Sequence, residues 1–237
     1  MSGVCKASAV IVAAGKGSRM KTDINKQYLL LDNKPVLAHT IEAFERSELI
    51  SEIIVVINNN DRELFSGSVI KPYNFSKITS VVVGGADRQA SVYNGLCHVK
   101  ASSDIVVVHD GARPLVTEDI IHRTIDAALV YGAACAGVPV KDTIKKVGKD
   151  FTVEYTPDRS ELWAIQTPQA FRREILVSAH QNAACDGFRG TDDSVLAERL
   201  GYRVRMVMGS YTNIKITTAE DLVLAEAILK NFSQCVD

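Results

Sequence analysis

Apolar positions fall into two recurring patterns along this chain: short β-branched runs, and stretches of helical spacing between them. Residues 10–12, 52–57, 78–83, 105–108 and 133–138 are nearly continuous apolar runs, as strands covered on both faces require. Between them, residues 35–44 place Val36, Leu37, Thr40, Ile41 and Phe44 on one helical face, with Pro35 at the start. Residues 86–99 read as a second helix after Gly84-Gly85, and Thr117 caps a third that runs to Tyr131. Asp61 could cap a short helix, and residues 71–76 read as a connector.

The rhythm breaks after Val138. Residues 143–147 and 151–156 alternate around Lys146-Val147-Gly148-Lys149-Asp150, which predicts a protruding hairpin within about residues 139–162. Residues 163–166 return to the sheet, ahead of Thr167-Pro168-Gln169 and a helix over 172–184. Thr191 is expected to cap a helix reaching Leu200, with Asp192 and Asp193 in its first turn. Strands follow at 203–208 and 213–216, then a last helix after Thr217 and Thr218, to about Leu229. The alternation predicts an α/β fold: a Rossmann-like, mostly parallel twisted sheet with helices on both faces, plus the hairpin arm.

Composition narrows the class. At 237 residues the chain suits one sizeable domain, and a net charge of −1 gives no field for non-specific nucleic-acid binding. Cys5, Cys97, Cys135, Cys185 and Cys235 are far apart and form no CxxC, which fits reduced thiols and a cytoplasmic location better than a zinc site or disulfide framework. No apolar run reaches the roughly 18 residues of a membrane span, and the first strand begins too early for a leader.

The chemistry concentrates in ASAVIVAAGKGSRMKTDINK, residues 7–26. An apolar strand leads into small residues, Ala13, Ala14, Gly15 and Gly17, and then into Arg19 and Lys26. Backbone amides of such a loop can approach an anion, and the cations add charge that a strand does not need. Met20 occupies the third glycine position of a dinucleotide fingerprint, and no Gly-Lys-Ser/Thr completes a Walker A loop. Other strand tips bring Gly85, Ser91, Asp110, Arg113, Asp192 and Lys215. Together these residues suit a polyphosphate, with Asp110 able to hold Mg²⁺ alongside substrate phosphates and waters. Neither Ser91 nor Cys97 has an evident histidine partner, and His109 reads as a structural histidine, so covalent catalysis is not indicated.

A-A-G-K-G-S-R-M followed by Lys26 and Gln27 resembles the nucleotidyltransferases of glycosyltransferase-A-like fold. H-D-G-A-R-P (109–114), V-K-D-T (140–143), D-R-S-E-L-W (158–163), Q-T-P-Q (166–169), T-D-D (191–193) and N-I-K-I-T (213–217) occur in order. That series resembles the 2-C-methyl-D-erythritol 4-phosphate cytidylyltransferase family of non-mevalonate isoprenoid synthesis. The resemblance implies one nucleotidyltransferase domain over residues 1–237. Ala13, Ala14, Gly15, Gly17, Arg19, Lys26, Gly85, Ser91, Asp110 and Gly111 would bind CTP. Arg19, Lys26 and Lys215 would stabilise the transition state. Asp110, Arg113, Thr143, Arg159, Thr167 and Thr191 would hold the polyol phosphate, and Asp110 a magnesium ion. It further implies a homodimer in which the arm crosses to the neighbouring subunit, so that Thr143 and Arg159 act in trans. A ribitol 5-phosphate cytidylyltransferase, or a non-catalytic nucleotide-binding domain of the same fold, remains open at this level. A nicotinamide oxidoreductase does not fit Met20.

Overall fold

A computed structural model describes residues 6–15 and 25–234. Gly17 and Arg19 therefore lie outside the described residues. Strand β1 (Ala7–Ala13) is followed by a small hairpin, β2 (Leu30–Leu31) and β3 (Lys34–Pro35), and by helix α1 (Val36–Arg46). Asp32 and Asn33 both have positive φ (49° and 60°), the geometry of a two-residue hairpin turn that Asn and Asp tolerate. Then come β4 (Ile50–Ile57), the short helices α2 (Arg62–Phe65) and α3 (Lys71–Tyr73), β5 (Ile78–Val83), α4 (Arg88–Leu96), β6 (Ile105–Asp110), α5 (Glu118–Tyr131) and β7 (Ala133–Pro139). The arm carries β8 (Lys146–Val147) and β9 (Val153–Tyr155), and the chain ends with β10 (Trp163–Arg172), α6 (Arg173–Cys185), α7 (Ser194–Arg199), β11 (Arg205–Met208) and α8 (Ala219–Gln234).

Seven strands form the main sheet among the described residues, in the order β11-β7-β10-β6-β1-β4-β5. The mostly parallel sheet expected from the sequence is present. β10 alone runs antiparallel, to both β6 and β7. Successive residues of the central strands feed opposite faces. Ala9, Ile11, Ile53, Val55, Ile105 and Val107 pack under α1 and α5, while Val10, Ile54, Val56, Val106 and Val108 pack under α4 and α6. Both faces are apolar because both are covered, which is why these strands read as continuous runs.

Several local expectations are corrected. Helix α4 is capped by Asp87, whose carboxylate accepts from the Ala90 amide at 2.8 Å, so it starts later than residue 86. Asp61 caps nothing: the Asn58 side chain accepts from the Asn60 amide instead. Residues 71–76 are partly helical, in α3. Thr191 is exposed and does not cap α7; the Val195 amide donates to Asp192 Oδ1 at 3.0 Å. Residues 213–216 form no strand; Asn213 N and Ile214 N bond within the local turn, to the Ser210 and Thr212 carbonyls, and only Ile216 N reaches across, to Ala112 O. Strand β10 extends through Arg172 because the chain resumes pairing with β6 and β7 after Thr167-Pro168.

The nucleotidyl-transfer site

The sheet order reverses around β1, with β4 and β5 to one side and β6 to the other. Open α/β sheets bind ligands outside the carboxyl ends of strands at such a switch point. A cavity of about 440 Å³ lies there. Ala13, Ala14 and Gly15 from the end of β1, Lys26, Gly85 and Ser91, Asp110 from the end of β6, and Lys215 all line it. Residues from four separate stretches of the sequence, 13–26, 85–91, 110 and 215, therefore meet in one cleft.

Its floor is Asp110. The carboxylate Oδ2 pairs with Lys215 Nζ at 2.8 Å and with Arg113 Nε at 3.6 Å, and Oδ1 with Arg88 Nε at 3.4 Å. Burial alone would raise this carboxyl; Lys215, then Arg88 and Arg113, outweigh it and hold it well below the usual carboxylate range. Asp110 is therefore a fixed anion around which three cations are ordered.

A neutral hydrogen-bond chain holds Asp110 from behind. The Asp110 amide donates to Thr167 Oγ1 at 3.0 Å, and that hydroxyl in turn faces His109 Nδ1 at 3.0 Å. The Arg113 carbonyl can only accept, so Nε2 carries the proton and donates to it at 3.2 Å, which leaves Nδ1 of the neutral ring to accept from the Thr167 hydroxyl. Burial pushes the His109 imidazole down to about 3, so it is neutral at physiological pH. Both ring nitrogens are occupied, and His109 is structural, as its sequence context implied.

The Lys215 segment is pinned in the same way. Asn213 Nδ2 donates to the Thr167 carbonyl at 2.9 Å, and Arg113 Nη1 donates to the Asn213 carbonyl at 2.8 Å. Thr167 and Arg113 thus serve the site from beneath; neither borders the cavity. Gly111 also lies behind the wall, where a Cβ would meet Ala13 and Leu37 at 3.0 Å, and its neighbour Ala112 borders the cavity instead.

The Gly84-Gly85 turn forms the wall on the β5 side. A Cβ on Gly84 would run into the Ala14 and Ser91 side chains, so only glycine lets this turn approach the first strand. Ser91 Oγ accepts from the Gly85 amide at 3.0 Å and donates to the Asp87 carbonyl at 2.7 Å. Its hydroxyl is engaged in holding the turn in shape.

Sequence reasoning missed Arg88 and the buried pair behind it. Arg88 Nη1 donates to Asp193 Oδ2 at 2.7 Å, and His180 Nε2 lies 3.0 Å from Asp193 Oδ1. Gln169 joins the Q-T-P-Q and T-D-D motifs: its Oε1 accepts from the amides of Asp193 and Ser194, both at 3.1 Å, and its Nε2 donates to Asp192 Oδ2 at 2.9 Å. The motifs themselves were the available signal. Which of their side chains touch was not readable without the packing.

Thr143 and Arg159 stand apart. Both are exposed on the arm, and Arg159 Nη1 donates to the Lys141 carbonyl at 2.8 Å. Thr191 is also exposed and does not border the cavity. Among the described residues, no group of three or more His, Cys, Asp or Glu side chains could hold a metal ion.

A glycine-lined cleft at a switch point, with cations disposed about one buried carboxylate, defines a nucleotidyltransferase-like α/β enzyme. The family model for 2-C-methyl-D-erythritol 4-phosphate cytidylyltransferase matches residues 7–231, and the chain belongs to that family. A relative of that name from Caldanaerobacter subterraneus subsp. tengcongensis is 53% identical over 223 residues, covering 94% of this chain and 98% of its own. One from Alkaliphilus metalliredigens is 46% identical over 238 residues, covering 99% of both chains. The solved structure of 4-diphosphocytidyl-2C-methyl-D-erythritol synthase from Anaerococcus prevotii superposes with a TM-score of 0.85 at 35% identity, covering 95% of this chain and 96% of that one. No described helix is long and apolar enough to cross a membrane.

Proposed function

We propose that this enzyme transfers CMP from CTP to 2-C-methyl-D-erythritol 4-phosphate and releases pyrophosphate. The observation that carries the reading is the placement of Lys26 and Lys215 on the walls of one cleft that Gly85 and Ser91 also line. An oxygen of the polyol phosphate attacks the α-phosphorus of CTP, the bond to the β-phosphate oxygen breaks, and pyrophosphate leaves. Charge on the transferring group is spread over the phosphorus oxygens, so positioning and fixed cations supply most of the catalysis. Lys26 and Lys215, which line the cleft, would stabilise that charge, and Arg19 is assigned beside them on the motif. His109 is neutral with both nitrogens bonded, and burial holds the Cys135 thiol far above its usual value, which supports direct displacement without a covalent intermediate.

A magnesium ion suits this donor set. Asp110 is an ionised carboxylate on the cleft floor, and Mg²⁺ commonly takes one or two carboxylates with phosphates and waters as its other ligands. The ion would neutralise triphosphate charge, while Lys215, Arg88 and Arg113 keep Asp110 ionised to receive it.

The arm supports a homodimer. Phe151 at its tip is 90% exposed, and Val153 and Tyr155 are about half exposed. Apolar surface of this kind marks association sites. Pairing would carry Thr143 and Arg159 to the partner's cleft, where they would hold the polyol phosphate with Thr191. Turnover of the purified protein with CTP and Mg²⁺, comparing 2-C-methyl-D-erythritol 4-phosphate with ribitol 5-phosphate, tests the substrate. A preference for ribitol 5-phosphate overturns it, and CTP binding without pyrophosphate release with either overturns the catalytic reading.

A further inference from the structure

Asp61 is an acid with no evident employment in its own segment. It lies beyond the end of β4, in a single-turn helix over Asn59–Asp61, and is only 7% exposed. Asn58 performs the capping there, and the Asp61 carboxylate makes no bond to its own helix. Instead it points across to the segment that follows the nucleotide loop. Asn25 Nδ2 donates to both carboxylate oxygens, at 2.9 and 2.8 Å, and Gln27 Nε2 stands 3.5 Å from Oδ2. Gln27 Nε2 also donates to the carbonyls of Ala13 at 2.7 Å and Gly15 at 3.3 Å.

Asn25 and Gln27 flank Lys26. One carboxylate therefore holds both neighbours of a residue on the cleft wall, while Gln27 ties the same segment to the end of β1. Burying an ionised carboxylate is costly unless it is well hydrogen-bonded, and one beside a polyanion site also opposes ligand binding by charge. Two amide donors from a single segment answer the first cost. The second is accepted where the acid has a geometric task.

We infer that Asp61 is a positioning residue for cytidylyl transfer: through Asn25 and Gln27 it sets Lys26 against the triphosphate. The inference rests on the role proposed above for Lys26. It does not require Asp61 to touch substrate.

A double-mutant cycle in the full-length enzyme tests it. Asp61→Ala should lower kcat/KM for CTP by about tenfold or more, since a displaced catalytic group is costly well beyond its own contacts. The near-isosteric Asp61→Asn, which keeps one acceptor, should fall between it and wild type. KM for the polyol phosphate should stay within about twofold of wild type, as expected if the loss lies on the nucleotide side. The decisive variant is Lys26→Ala combined with Asp61→Ala. If Asp61 acts through Lys26, the double variant is no worse than Lys26→Ala alone; losses that multiply overturn the inference. A wild-type kcat/KM in Asp61→Ala, with Lys26→Ala impaired, overturns the positioning role alone. A wild-type Lys26→Ala overturns the role of Lys26, and the positioning role with it. Circular dichroism and thermal unfolding of Asp61→Asn separate these results from a folding defect: an Asp61→Asn enzyme as folded as wild type yet impaired supports the assignment, and impairment that appears only with loss of fold overturns it.

Discussion

Lys215 Nζ lies 2.8 Å from Asp110 Oδ2, although the two residues are far apart in the chain and only one of them belongs to the sheet. Asp110 closes β6 in the middle of the sheet. Lys215 arrives late, on an irregular segment held down by Asn213 and by the bond from Ile216 N to Ala112 O at 2.8 Å. The pair holds a cation in the cleft before any substrate enters, which spares the reorganisation that water would require. Asp110 sets the position of that charge, which in the proposed reaction would act on the polyphosphate.

Replacing Lys215 by Ala should therefore lower kcat by about 10²-fold or more, with a smaller rise in KM for CTP, as removal of a preorganised transition-state donor does. Lys26→Ala should behave alike. Steady-state kinetics over both substrates check this. A kcat within twofold of wild type in Lys215→Ala would remove it from the catalytic set.

His109 should make stability depend on pH. Its folded-state value is pushed down to about 3 by burial, whereas an unfolded histidine titrates near 6.5. Between these values the unfolded chain binds a proton that the folded chain does not, so stability falls as pH falls through this window. One proton corresponds to about 1.4 kcal/mol per pH unit. Urea unfolding from pH 7 to pH 4 should show a steeper loss in wild type than in His109→Gln. Equal slopes would mean that His109 is protonated in the fold.

Gln169 should matter to stability more than to chemistry. Its carbonyl accepts from two buried amides, those of Asp193 and Ser194. Gln169→Ala leaves both without that partner, at about 1–3 kcal/mol for each buried donor. Denaturant unfolding should show a loss of about 2–6 kcal/mol for the two donors together. A loss below about 0.5 kcal/mol, as at ordinary surface sites, would mean that water replaces the side chain.

The arm gives a test of action in trans. Arg159→Ala protomers and Lys215→Ala protomers should each be poorly active alone. Refolded together in equal amounts, they should recover to about a quarter of wild-type activity, because half the dimers are mixed and each contains one whole site. No recovery on mixing would place Arg159 and Lys215 in the site of the same chain. Arg159→Ala should also bind CTP normally and polyol phosphate weakly.

Hydrophobic patterning alone determined the class of fold, because strands buried on both faces must be apolar throughout and the helices between them must be amphipathic. Val10, Val56 and Val108 announce one covered face, and Ile11, Val55 and Val107 the other. The ordered motifs likewise identified the family to which the chain belongs, and the cleft contains Lys26, Asp110 and Lys215 together. Direction was not legible: nothing in residues 163–172 says that β10 runs against its neighbours, since antiparallel and parallel strands buried on both faces look alike. Asp192 rather than Thr191 holds the first turn of α7, a choice between adjacent capping residues that propensity does not make. The task of Asp61, the Asp193–Arg88–Asp110 chain and the tautomer of His109 depend on which polar atoms meet across the sheet. Spacing along a chain carries no information about partners brought together only when the strands are laid side by side.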